Sequence, residues 1–544
     1  MKVSDEVSAE KLRGGFYSPA GLVKVCLDRV ADLLGDRREI RLLEPSAGNG
    51  AFLRGTLQHP LKEKISQMTL VEIVESEAEL CRQSATSASL TSSVLHGSFL
   101  SEIIKMEPTF DAAVGNPPFV RFQFVDPTER RHAEAIATQL GVTLRGVSNL
   151  WIPILYKAIA SLNQGGAFAF IVPAECLTGI SAADARRWLL RNTKQLRIDL
   201  FLPGSFPTVL QEVVVISGVK TSYNPRSTHS VTVVDHDSST RIWDHSIFAD
   251  EPTWTKLLMS PTHVSALDEA SSLPGCIHLG GVAKFSVATV TGANDFFSVD
   301  ETTIKNYELE AWARPLLPRI RNAPGLRFTA DDFLEISKNQ IKSYLLDFSS
   351  SAPDPMLFEG PREYLEQGEG KLLHKRYKCR IRSPWYRVPV VSPGDLLLSK
   401  RSHHYPRVVL NEKRAITTDT IYQAKLAPTY SDKGTALTAG FHNSLTLLSA
   451  EIEGRSFGGG VLELVPSEVA RLKVFVSEQL TGELESLDKI ARSSAPERED
   501  LLVEETDRRL SKAIGGLNDS LMTSLAEARA SLQRRRHDRS SVGS

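Results

Sequence analysis

The stretch AAVGNPPFVRFQF, residues 112–124, holds residue types that could do chemistry at a spacing that fixes them in place. Its small residues and Val read as a buried strand, which Asn116-Pro117-Pro118-Phe119 brings to an end. Two consecutive prolines forbid both helix and ladder hydrogen bonding, so the chain must leave the sheet as a rigid, extended segment. That segment offers a side-chain amide, carbonyls held still and one aromatic ring. A plain strand-ending turn would use Asn-Pro as well, so the tetrapeptide needs a context. Two further clusters supply one. Glu44-Pro45-Ser46-Ala47-Gly48-Asn49-Gly50 follows an apolar run, and its glycines let backbone approach a ligand at the N-terminus of the next helix. Gly-x-Gly alone is usually just a tight turn. Glu72 closes the apolar run QMTLVE, the place of an acid that holds a ribose diol at the tip of a second strand.

The flanking sequence predicts the elements that must position these residues. REIRLLEPSAGNGAFLRGTL (38–57) reads as strand, turn and helix, and QMTLVEIVESEAEL (67–80) repeats the pattern. SSVLHGSFL supplies a third strand and FDAAVGNPPF a fourth. In SNLWIPILYKAIASLNQGGAFAFIVP, Ser148 is placed as an N-cap, and Trp151, Leu155, Ala158, Ile159 and Leu162 recur at helical spacing. Gly165-Gly166 then stops the helix before a buried strand. QLRIDLFLP and EVVVISGVK form a closing pair around GSFPTVLQ. Strands alternating with helices imply an α/β, mostly parallel, doubly wound sheet with ligands at the strands' C-terminal ends. The two ligand loops and the NPPF segment all fall at such ends, on one rim.

Composition bounds the rest. A chain of 544 residues predicts two or three domains, and 41% apolar with 24% charged residues describes a soluble protein. A net charge of -1 means that any surface for an anionic polymer must be local. The five cysteines (Cys26, Cys81, Cys176, Cys276, Cys379) form no CxxC and no Cys/His pair at zinc spacing. Neither a disulfide scaffold nor a metal site is expected, and a cytoplasmic location is favoured. The N-terminus lacks an apolar signal core, and no run approaches a membrane span.

The order of motifs GGFYSPAGLVKVCLDRV, LLEPSAGNGAFL, LVEIV, VGNPPF, GGAFAFIVPAECL and GSFPTVLQEVVVI resembles the TaqI-type gamma class of adenine-N6 DNA methyltransferases. The resemblance covers about residues 12–220 and is looser from 279 onward. It implies a Rossmann-like domain that binds S-adenosylmethionine, followed by a mixed α+β target-recognition domain. Tyr17, Ser18 and Pro19 match the motif for the cofactor's methionine portion. Glu44, Ala47, Gly48 and Gly50 would lie beside the methionine and sulfonium, and Glu72 would accept the ribose hydroxyls. Ile73, Phe99 and Pro118 would wall the adenine ring. The family pattern breaks at Ser98, where an Asp usually accepts from the adenine amino group; a hydroxyl accepts more weakly. Asn116 and the Pro117 carbonyl would accept from the target amine, held still by Pro117 and Pro118. Phe119 and Phe206 would contact a flipped base. Asn at the head of NPPF, on the same resemblance, favours adenine N6 over cytosine N4.

The predicted organisation is a catalytic domain over 1–222, a linker over 223–254, a recognition domain over 255–480, and a helical segment with a basic, frayed tail over 481–544. Residues 371–414 hold twelve Lys and Arg against two acids, with Tyr377, Trp385, Tyr386 and Tyr405 interleaved. That mixture suits a phosphate-binding wall for double-stranded DNA, with Arg380, Arg382, Lys400 and Arg401 as contacts. A solvated basic face is the plainer reading. A cognate restriction endonuclease acting on the same site is the expected partner. The rivals are an RNA or protein-glutamine methyltransferase, and an inactive DNA-binding specificity subunit.

Overall fold

Residues 18–86, 90–144, 149–179, 182–201, 212–236, 240–251, 253–349, 352–457 and 459–541 are described by a computed structural model. Tyr17, Ser148 and Phe206 lie outside them. The chain divides into two units, one ending at Pro261 and the other spanning Thr262–Ser540.

In the first unit α1 (Ala20–Leu34) buries Leu22, Val23, Cys26, Leu27, Val30 and Leu34. These recur every three or four residues, so one stripe of the helix faces the sheet. Strands β1 (Ile40–Glu44), β2 (Ile65–Glu72), β3 (Ser92–His96), β4 (Phe110–Gly115) and β5 (Leu162–Pro173) run parallel. Helices α2 (Ala51–Gln58) and α3 (Glu75–Thr86) connect the first three strands. α4 (Pro127–Gln139) and α5 (Trp151–Ala160) lie between β4 and β5. After α6 (Ala183–Asn192), β6 (Thr193–Leu200) and β7 (Val213–Lys220) complete the expected closing pair, with β7 antiparallel to both β5 and β6. The strand order is β3-β2-β1-β4-β5-β7-β6-β8-β9, so the doubly wound α/β sheet of the sequence reading is present.

Two boundaries differ from expectation. The predicted linker holds β8 (Thr228–Asp235) and β9 (Arg241–Phe248), which extend the same sheet. Their polar composition follows from edge position: Val231, Val233 and Val234 are buried, while Ile242 and Phe248 face outward. α5 ends at Ala160, and Gly165, at φ +77°, lies inside β5 rather than capping the helix.

The second unit mixes short strands with helices. One four-stranded sheet joins Ala283–Val287, Ile421–Leu426, Leu396–Ser399 and Val408–Leu410; another joins Ser298–Val299, Tyr344–Leu346, Ala313–Leu317 and Ile416–Thr417. Helices Leu484–Arg492, Arg498–Ala513 and Asp519–Ser541 belong to this unit rather than to a separate segment. The expected frayed tail is helical to Ser541, and Arg536 within it is 3% exposed.

Candidate active site

Because β1, β2 and β4 are parallel neighbours, their C-terminal ends bring Glu44, Glu72 and Asn116 to one rim. The turn after β1 is built on left-handed backbone, with Gly48 at φ +51° and Gly50 at φ +82°. A Cβ at Gly48 would meet no atom within 4 Å, so the space above this turn is open. The Ala47 N–H donates to the Val71 carbonyl (2.9 Å), tying the turn to β2.

The two acids are held differently. Glu72 accepts from the Gly48 N–H at 2.7 Å and from the Val74 N–H at 2.9 Å, one bond to each oxygen. Glu44 is 1% exposed, and its Oε2 is buried with no hydrogen-bond partner. Burial, and then the nearby Glu72 charge, push the Glu44 carboxyl well above the usual carboxylate range, with Arg54 opposing. Burial also drives the Cys81 thiol up to about 12, and its Sγ donates to the Gly48 carbonyl at 3.1 Å. This cysteine supports the turn as an inert thiol.

Gly115 closes β4 under Phe170 and Pro45, where an added Cβ would meet ring atoms of both at 3.3 Å. Pro117 is buried, while Asn116, Pro118 and Phe119 are partly exposed. Phe119 packs against the core of the first unit. Ser46 Oγ donates to the Asn116 carbonyl (3.4 Å), joining the two loops of the rim. Beyond NPPF, the Arg130 guanidinium holds the Phe122 carbonyl at 2.5 Å.

The remaining residues fall into distinct settings. Pro19 is the N-cap of α1, and no side-chain bond caps that helix. Ile73 is 54% exposed, whereas Phe99 is buried, with the Lys157 ammonium 5.2 Å from its ring centroid. Ser98 Oγ donates to Glu129 Oε2 at 2.6 Å, a partner 31 residues away that the sequence did not reveal.

In the second unit the basic block splits. Lys371, Lys375, Arg376, Lys378, Arg380 and Arg387 are exposed. Arg382 instead donates to the carbonyls of Val290 and Thr291, each at 2.7 Å, and burial lowers its pKa. It braces backbone rather than facing outward. Arg401 and Lys400 approach Glu463 at 2.6 and 3.8 Å. Of the interleaved aromatics, Tyr405 is buried and Trp385 and Tyr386 pack on a core, leaving Tyr377 exposed.

Residues 56–205 match the Eco57I restriction-modification methylase family, and residues 251–510 match the C-terminal domain of the type II methyltransferase M.Eco57I. The chain belongs to this family of restriction-modification methylases. It is 22% identical over 401 residues to the type II methyltransferase M.AccI of Acinetobacter calcoaceticus, covering 70% of each chain. With M.HindII of Haemophilus influenzae it shares 22% identity over 324 residues, covering 54% of this chain and 57% of that relative. The DNA complex of the type IIL restriction-modification enzyme MmeI shares the fold (TM-score 0.52, 14% identity, 95% of this chain and 75% of that one). Membership of the methylase family indicates S-adenosylmethionine as cofactor. The residues present fit it: an open glycine turn, a clasped acid at the end of β2, and a buried carboxyl oxygen awaiting a donor or a cation. No helix among the described residues is long and apolar enough to cross a membrane.

Proposed function

We propose that this methylase transfers a methyl group to the N6 amino group of adenine in duplex DNA. The observation that carries the reading is the shared rim of Glu44, Glu72 and the NPPF segment, joined by the Ser46–Asn116 hydrogen bond. S-adenosylmethionine, when bound, supplies an electrophilic methyl on a sulfonium. The chain's own residues then face a specific difficulty, since the lone pair of an exocyclic amine is delocalised into its ring. The Asn116 amide oxygen and the Pro117 carbonyl each accept one N–H bond, drawing the nitrogen toward tetrahedral geometry and localising that pair. The double proline keeps both acceptors still, so the gain comes from positioning and preorganised dipoles. Phe119 presents a ring to a base that must leave the duplex to arrive.

Glu44 and the glycine turn would hold the methionine end of the cofactor, and Glu72 its ribose. The second unit would serve as the target-recognition domain. Its exposed cations at 371–387 would contact phosphates, which position a duplex without reading it. A restriction endonuclease acting on the same site would be its partner.

The test is incubation with donor carrying a labelled methyl and duplex DNA, then nucleoside analysis. N6-methyladenine is the expected product. N4-methylcytosine would overturn the choice of base, and label found only in RNA or protein would overturn the choice of polymer.

A further inference from the structure

We propose that Glu129 supplies the carboxylate that recognises the amino group of the cofactor's adenine, with Ser98 as the tether that aims it. The inference rests on the cofactor site described above. β1, β2 and β3 are successive neighbours about 5 Å apart, and their register sets Glu44 against Leu70 and Glu72 against His96, so Glu72 and then Ser98 each stand one strand over and two residues further along the rim. The Gly97 N–H donates to the Glu72 carbonyl at 2.8 Å, which fixes Ser98 one step beyond the acid assigned to the ribose. A nucleoside whose ribose lies on Glu72 therefore extends its base over the end of β3, past the exposed Ile73 side chain.

Ser98 itself is poorly suited to read an amino group. A hydroxyl has one proton and two lone pairs. Its proton is committed to Glu129 Oε2 at 2.6 Å, and one lone pair accepts from the Leu100 N–H at 3.1 Å. Glu129 has capacity to spare, because an ionised carboxylate offers about four acceptor positions. The Ser98 bond uses one of them, and the other oxygen has His132 Nδ1 at 3.6 Å, beyond hydrogen-bond range. Glu129 stands in the first turn of α4, whose N-cap Asp126 accepts from the Thr128 N–H. An acid there favours the helix dipole wherever its side chain points. Reaching a hydroxyl at the tip of a strand 31 residues earlier is an additional, directed placement. It brings a carboxylate from α4 to the end of β3, which has no acid of its own at Ser98.

Calorimetry on the full chain with two ligands tests this: S-adenosylhomocysteine, and its inosine counterpart, which carries a ring carbonyl where adenine has the amino group. Wild type should prefer the adenine ligand by about tenfold or more, the scale of a charge-assisted hydrogen bond. Glu129→Gln should lose most of that preference, because an amide can donate to the inosine carbonyl as well as accept from the amine. Ser98→Asp should weaken binding by crowding two carboxylates, and combining it with Glu129→Gln should restore affinity. Thermal melts of each variant separate loss of fold from loss of binding. If a folded Glu129→Gln keeps wild-type affinity and discrimination, or if Ser98→Asp alone tightens binding, the proposal is overturned. Failure of wild type to bind S-adenosylhomocysteine at all would instead defeat the cofactor site on which it rests.

Discussion

At the rim of the first unit a Glu44 oxygen is buried without a hydrogen-bond partner, whereas among the described residues of the second unit no carboxylate oxygen is left that way. There, Arg536 donates to both oxygens of Glu451 at 2.9 and 2.7 Å and also reaches the carbonyls of His403, His404 and Gly460. Arg492 spans Asp332 and Asp488 at 2.6 Å each. Asp507 accepts from the Ser444 N–H at 2.7 Å and from its hydroxyl at 2.6 Å. Buried polar groups in folded proteins are almost always paired, so an exception asks for a reason. The second unit uses internal charge to hold a loop-rich fold together. The first unit, at its rim, instead keeps a buried Glu44 oxygen without such a partner, on a carboxyl that burial pushes toward its neutral form.

The largest expected effect tests the closed networks. Arg536→Ala should destabilise the second unit by about 3–5 kcal/mol, since it strands the buried Glu451 charge and three carbonyls. Urea unfolding measures this, and a loss under 1 kcal/mol would break the contrast between the units. Asn116→Ala should act the other way round. Methyl transfer should fall on the order of 10²–10³-fold, while the unfolding midpoint and affinities for cofactor and DNA stay close to wild type. Unchanged turnover would remove the amide from the chemistry.

A pH experiment tests one acid of the closed networks. Burial raises the Asp507 pKa to about 6, against hydrogen bonds from Ser444 that lower it. A carboxyl raised in the folded state contributes stability that is fully present below its unfolded value near 4. That contribution is lost as pH rises through about 6. The loss should reach at most about 3 kcal/mol, and Asp507→Asn should be free of it. Unfolding of both proteins at pH 4 and pH 7 gives the difference directly; parallel curves would mean the carboxyl titrates normally. The smallest effect separates the halves of the basic block. Neutralising Lys375, Arg376 and Arg380 together should lower the slope of log affinity on log salt by about 2.7, or about 0.9 per phosphate contact. Arg382→Ala should leave the slope alone and cost about 1–3 kcal/mol of stability, because two carbonyls lose their donor. The reverse pattern would make Arg382 the phosphate contact and the exposed cations a solvated face.

What could be read from the sequence divides along physical lines. β1 to β5 were legible because their runs end in, or one residue before, Gly, Pro or acidic residues that are adjacent in the chain. The rim followed from the parallel topology, which aligns strand ends without needing contacts to be known. β8 and β9 escaped because an edge pair needs only one apolar face, and their Ser, Thr, His and Asp content reads as linker. The Ser98–Glu129 bond escaped because a helix after NPPF folds back 31 residues to make it. Arg401 and Glu463 are 62 residues apart, so charge counting over 371–414 saw only the cation. Arg382 was misread for a similar reason, since its acceptors are backbone carbonyls, which leave no mark in composition.

If Glu72 holds the ribose as proposed above, its clasp bears on the speed and cost of ligand capture. Two backbone N–H groups, from Gly48 and Val74, already fix both oxygens of the carboxylate. A long flexible acid would surrender rotamer freedom when it grips a diol, about 0.5–1.5 kcal/mol for such a side chain. Here that ordering cost is met during folding, and the unused lone pairs stand at set angles before any ligand arrives. Encounter then requires the ligand to find one arrangement of the acid rather than to select it from many.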